Sequence, residues 1–455
     1  MEWDLFIIMS NKLIIGLLIV IISFHALILT KLIFFPYPEL FIYPYLTNHD
    51  LKPYGQILDQ HFPGLMFLPI NLNNLGMTTP EIARIWSIFL ALITQVMLFF
   101  VSRGILKSKT KALLVNILYL IWQPFFEGWV LWIDSFLPLV LLPAFYALYK
   151  RKIFITGLLL GIGIVFKQVL IPLSFFVLIY LFWKDKKFKA VLKYLSGLLP
   201  PIVIVFFYFW ILGVFTDFWY WTVIFNLTTF AQFGRGIGPD LAHFSRVALV
   251  FGLAFLVIRK IKLTEAQILL IFLIGTLIGL STRFDFVHFQ PALPFAVLAT
   301  VYGLGGLGKL RRLGIWMGYL LIAVWWLMTF YKGHLGDRVI AFDSHTKNLA
   351  AKIKDYTNPG EKIFVFGGQP HLYQMSSTMP AGDIFVFQFP WFMQVAESRI
   401  LEGIIKDKPR FVVSDKTVLI ENRRLRDFAP SIDRYINENY RKIDSVGTAD
   451  ILERM

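Results

Sequence analysis

The chain has 455 residues, is 57% hydrophobic and only 16% charged, and contains no cysteine, which excludes soluble domains throughout, a disulfide framework, thiol catalysis and cysteine-based metal sites. Its net charge of +15 raises a nucleic-acid reading that the distribution argues against. The basic residues cluster in short loops: Arg103, Lys107, Lys109 and Lys111; Lys150, Arg151 and Lys152; Lys184, Lys186, Lys187 and Lys189; Arg259, Lys260 and Lys262; Lys309, Arg311 and Arg312. Two crossings fit between each cluster and the next, so all five fall on the cytoplasmic side of a membrane by the positive-inside rule.

Apolar runs of about twenty residues recur as far as residue 330 and predict a polytopic α-helical membrane protein with about eleven spans. They are 13–35, 82–101, 112–126, 130–149, 154–166, 170–183, 191–212, 245–258, 265–280, 290–307 and 313–331. No small-residue cleavage site follows the first run, which reads as a retained span. Several runs fall short of a full crossing, which leaves one pair open to a re-entrant reading. An odd number of spans puts the N-terminus in the cytoplasm and the chain after residue 332 outside. The outward loops are then 36–81, 127–129, 167–169, 213–244 and 281–289.

The first of these loops, FPYPELFIYPYLTNHDLKPYGQILDQHFPG, gathers Glu39, His49, Asp50, Tyr54, Asp59 and His61 at a membrane surface. A solvated loop is polar without having a function, so only the rest of the chain gives these groups weight. Asp134 stands at the outer start of a span, where an acid suits the helix dipole and is equally read as a first-turn residue. Lys167 lies alone between two apolar runs, and either snorkels to lipid headgroups or meets an anion. The segment STRFDFVHFQPALP brings Arg283, Asp285 and His288 just ahead of a span. Arg and His there suit a lipid phosphate, and an Arg283–Asp285 ion pair is the competing account. The loop 213–244 joins interfacial aromatics, DFWYW, to a glycine-rich stretch, AQFGRGIGPD, readable as a substrate cover or as an interfacial helix with a turn.

Beyond residue 332 the composition changes to that of a soluble module. A helix over 344–356, a turn at Asn358-Pro359-Gly360, strands at 362–366 and 411–414, and helices over 391–405 and 431–439 predict a small α/β domain, 333–455, following a membrane domain, 1–332. Gly367-Gly368 after the first strand reads as a tight turn, since it lacks the lysine and spacing of a phosphate loop.

Five stretches carry a resemblance. PYGQILDQHFPG, IDSFLPLVLLPAFYALYKRK, GLLLGIGIVFKQVLIP and RFDFVHFQPALPFAVL resemble, in that order, the motifs of the GT-C superfamily of integral membrane glycosyltransferases, in the branch of protein O-mannosyltransferases and lipid A aminoarabinose transferases (family 39-like). FVFGGQPHLYQMS resembles the extracytoplasmic domain common in that group. Three positions depart from the pattern. Pro38-Glu39 stands for Asp-Glu, Gln56 for the aspartate after Pro-Tyr, and His61-Phe62 for a lysine and a proline.

The resemblance implies a GT-C fold and transfer of a sugar from a polyprenyl-phosphate donor to a glycan, lipid or protein hydroxyl at the outer face of the cell membrane. It implies inversion at the anomeric carbon, with no metal and no cofactor. Glu39 would then be the general base, Lys167, Arg283 and His288 the donor-phosphate ligands, and Asp50, Tyr54, Asp59, His61 and Asp134 the substrate or loop support. A transporter or flippase of lipid-linked sugars is the alternative, although the internal repeat with paired broken helices expected of one is not evident.

Overall fold

The computed structural model describes residues 10–186, 188–233, 238–281 and 283–455. Lys187, the Gly234–Ile237 part of the glycine-rich stretch and Thr282 therefore lie outside the described residues. The chain divides into two compact units. One comprises Met1–Phe34, Arg84–Val205 and Ile237–Arg338; the other comprises Phe35–Ala83, Phe206–Gly236 and Val339–Met455.

The first unit is helical. Each of the eleven apolar segments holds helix, with ends shifted by a few residues. Among the described residues five helices are long and apolar enough to cross a membrane: Asn11–Lys31, Pro80–Leu106, Gln168–Asp185, Phe188–Ile211 and Leu313–His334. Leu241–Phe251 and Leu253–Lys260 are apolar enough together for a sixth crossing and are bent by 45° at their break, the geometry of a broken span or of a re-entrant loop. The others, such as Ile153–Phe166 and Leu293–Leu304, are shorter apolar helices. Their shortness has a local cause, because proline, glycine and polar side chains end them and the polar chemistry gathers in the breaks.

One sequence motif has a direct packing explanation. In GLLLG, a Cβ added at Gly157 would lie 2.1 Å from the Tyr194 carbonyl oxygen, and one at Gly161 would lie 2.3 Å from that of Leu198. Two helices, Ile153–Phe166 and Phe188–Ile211, thus touch backbone to backbone, which only glycine permits. Away from this seam, Ile14, Ile21, Phe99, Ala112, Leu113 and Leu120 form a buried cluster joining three other helices.

The second unit is built on a five-stranded mixed sheet. Its order is Tyr440–Val446, Ala449–Arg454, Phe411–Ser414, Lys362–Phe366, Met379–Pro380. The central strands Lys362–Phe366 and Phe411–Ser414 run parallel in the register Val365–Val413, and they read as continuous apolar runs because both faces are buried. The helix Ser344–Tyr356 begins where the Asp343 carboxylate accepts the Thr346 N–H at 2.8 Å, and it buries Leu349, Ala350 and Ile353. The helix Pro390–Asp407 buries Trp391, Phe392, Ala396, Ile400 and Ile404 at helical spacing. The closing antiparallel hairpin Tyr440–Arg454 has no counterpart in the sequence reading, because its outer strand alternates weakly and is rich in charge. Residues of the first loop join this unit: Ile57–Leu58 pairs in parallel with Phe385–Val386.

Candidate active site

Three breaks between helices converge in the first unit. Asp134 lies on the single turn Ile133–Ser135, Lys167 caps the C-terminus of Ile153–Phe166, and His288 lies on the turn Phe286–Phe289. Their side chains meet. Lys167 Nζ donates to Asp134 Oδ2 at 2.5 Å, and His288 Nδ1 lies 2.9 Å from that oxygen and 3.1 Å from Nζ. Asp134 and Lys167 are 1% and 7% exposed, so the pair is desolvated and each charge depends on the other. Burial, and then the Lys167 ammonium, hold the His288 imidazole below its usual range.

Two residues that the sequence reading passed over position the His288 turn. Glu127, at φ 58°, accepts the Val287 N–H at 2.9 Å, and Gln290 donates its amide to the carbonyls of Gln123 and Phe126, beside the irregular segment Pro124–Gly128. Burial lifts the Glu127 carboxyl to about 7. The signal available in the sequence was a lone acid in FFEGW, between apolar runs. Arg283 forms an ion pair with Asp285 at 3.0 Å, the competing arrangement noted above, and the Asp285 carbonyl accepts the His288 N–H.

In the second unit the first loop folds around Asp59. Its carboxylate accepts the Tyr43 hydroxyl at 2.5 Å, the His61 backbone N–H at 2.7 Å and the His61 ring nitrogen at 2.9 Å. Tyr54, at φ 63°, donates its hydroxyl to the His61 carbonyl at 2.8 Å, and its ring packs on Phe67, Phe209 and Phe218. Asp59, His61 and Tyr54 thus brace the loop. Tyr43 does so too, one of many aromatics in this loop and unmarked by any pattern. Asp50 is exposed on the turn that follows the helix Glu39–Thr47.

Glu39 opens that helix, where the backbone favours an anion, yet it is 9% exposed and its Oε2 has no hydrogen-bond partner among the described residues. Burial raises its carboxyl from 4.5 to about 7. It lines a cavity of about 280 Å³ walled by Tyr37, Tyr373, Phe385, Phe387 and Phe389. A carboxylate that is half ionised near neutrality and unpartnered in a small-molecule cavity has the properties of a general base.

Among solved structures, the chain matches ArnT of Cupriavidus metallidurans in the apo state at a TM-score of 0.61 and 12% identity, covering 97% of each chain. The same protein bound to undecaprenyl phosphate matches at a TM-score of 0.58 and 11% identity, over 97% of this chain and 98% of that one. This chain has the GT-C fold. No protein-family model matches it, and no curated relative does either. At this identity the likeness carries the fold and no residue role. Within the GT-C fold the sequence-predicted residues form two groups, Asp134–Lys167–His288 in the first unit and Glu39 with the Asp59 network in the second, while Arg283 pairs with Asp285 and Asp50 stands exposed on its turn.

Proposed function

We propose that this protein is a membrane glycosyltransferase that moves a sugar from a polyprenyl-phosphate donor to an acceptor hydroxyl, with inversion, in glycosylation of the cell envelope. The observation that carries the reading is Glu39, a buried carboxylate with a free oxygen and a carboxyl group raised to about 7, lining a cavity. The GT-C fold and the undecaprenyl phosphate bound by the ArnT structure support it. Glu39 takes the acceptor proton as the acceptor oxygen attacks the anomeric carbon. The bond from that carbon to the phosphate oxygen breaks, and the lipid phosphate departs with its charge. Lys167 and His288 receive that charge, with Arg283 as a further ligand, and Asp134 holds Lys167 in place until the phosphate arrives. A lipid phosphate is a good leaving group, so the reaction runs without a metal or other cofactor. The N-terminus is cytoplasmic, and residues 333–455 lie outside the cell membrane.

The test is turnover of a panel of polyprenyl-phosphate monosaccharides by purified protein with membrane extract as acceptor, read by mass spectrometry. Consumption of one donor by wild type and not by Glu39→Gln is the expected result. Equal consumption by both would remove Glu39 from the chemistry, and consumption of no donor by folded protein would sink the reading.

A further inference from the structure

The cavity that holds Glu39 is selective by charge. Its lining, wholly within the second unit, contains no lysine, arginine or histidine, and Glu39 is its one carboxylate among the described residues. The walls are aromatic: Tyr37, Phe385, Phe387 and Phe389, with Phe385 and Phe387 meeting edge to face at 5.6 Å. The polar groups are few and mostly held. Gln388 accepts the Gly367 N–H at 2.9 Å and donates to the Val365 carbonyl at 2.6 Å, and the Tyr373 hydroxyl accepts the Val365 N–H at 2.9 Å. Gln369 is exposed at the rim. The Gly367-Gly368 turn belongs to the same lining, and its glycine has a steric cause: a Cβ at Gly367, φ 82°, would lie 2.4 Å from the Asp415 carbonyl oxygen. The Gly367 N–H is donated to Gln388, so that donor is already taken.

We infer that this cavity receives an uncharged saccharide unit of the acceptor, with one hydroxyl on Glu39 and the C–H face of the ring on the aromatic wall. This deepens the transferase reading and rests on it for the word acceptor. Three properties of the cavity lead there. A phosphate or carboxylate entering it would meet an acidic group in an apolar surround with no cation among the lining residues, and the imidazole that acts on Glu39, His61, is already hydrogen-bonded to Asp59. Glu39 is the acidic acceptor that the lining offers a hydroxyl, while its Oε2 is closed off from solvent and has no donor among the described residues. The volume, about 280 Å³, is near the lower end of small-molecule sites and suits one ring rather than a lipid chain.

The experiment uses the full chain in detergent micelles and saturation-transfer NMR, with methyl β-glucopyranoside and methyl α-mannopyranoside as neutral probes, glucose 6-phosphate as the anionic probe and methyl glucosaminide as the cationic one. Val418→Trp and Ile420→Trp, two half-buried lining positions outside the chemistry assigned to Glu39, fill the cavity and serve as alternatives should one fail to fold. Binding of a neutral glycoside that weakens at least tenfold in the folded tryptophan variant, with no displacement by glucose 6-phosphate, is the expected result. Tighter binding of the phosphorylated or amino sugar overturns the inference, and so does neutral binding that the tryptophan variants leave unchanged. If no neutral glycoside binds while donor is still turned over, the inference falls and the transferase stands. If glycosides bind as expected while no donor is consumed, the saccharide site stands and the transferase reading falls.

Discussion

Glu39 and Asp134 are both buried carboxylates, and the two units treat them in opposite ways. Asp134 is neutralised by Lys167 at 2.5 Å and touched by His288 as well, whereas Glu39 has an oxygen with no partner and rises to about 7. The same desolvation cost is offset by a cation in one place and carried as a raised proton affinity in the other. A paired carboxylate is committed to its neighbour; an unpaired one is available to take a proton. Under the proposed function the pairing leaves Asp134 a supporting part and Glu39 the acid–base work, although both were candidates in the sequence.

The largest effect that would break this contrast is at Glu39 itself. Glu39→Gln is expected to lower kcat/KM by about 10²–10⁴-fold, the usual contribution of a general base. The same variant should be more stable. Because the folded state raises this carboxyl, wild-type stability falls as pH rises from 4.5 to about 7 and is level above that, and the gap corresponds to ~3 kcal/mol. Thermal unfolding at pH 8 reads the gain, and a Glu39→Gln variant that is both inactive and destabilised contradicts it. In wild type, kcat/KM should rise with pH up to about 7 and then flatten, because the base must be ionised.

Next is the paired carboxylate. Lys167→Met leaves the Asp134 carboxylate without its ammonium partner and with His288 alone beside it, and should cost ~3–5 kcal/mol in unfolding free energy. The double change Lys167→Met with Asp134→Leu should recover most of that stability without recovering binding of polyprenyl phosphate, measured by lipid retention on the purified protein. Recovery of binding would remove Lys167 from the phosphate site. Asp59→Asn comes third: the amide cannot accept all three bonds that the carboxylate holds, so about 1–3 kcal/mol is expected to be lost, with a weakened loop rather than an altered pH profile. Asp50→Asn, exposed on its turn, should change stability by less than ~0.5 kcal/mol and leave turnover intact.

The helices were legible because span length and apolar runs are local properties, and the strands Lys362–Phe366 and Phe411–Ser414 matched their predicted limits because both are short, apolar but for one terminal residue and bounded by turn residues. The outer hairpin strand was not, since its burial comes from its partner and not from its own pattern. At the site, Lys167, His288 and Asp134 drew notice as isolated polar groups among apolar residues. Their meeting, across 33 and 121 residues of chain, did not show in any spacing. Glu127 was marked only as a lone acid between apolar runs, with nothing to show the distant turn it holds, and Tyr43 was invisible because a tyrosine that holds an aspartate looks like any other tyrosine.

By itself the sequence determined the class of the molecule, the order of its apolar helices, the α/β module and the few ionisable residues that a membrane protein keeps at a cost. Those follow from composition and period, which act over a few turns of chain. Only the tertiary structure decided which carboxylate is paired and which is left bare, since that depends on desolvation and on a cation brought from another part of the chain, and neither is encoded within reach of a sequence window.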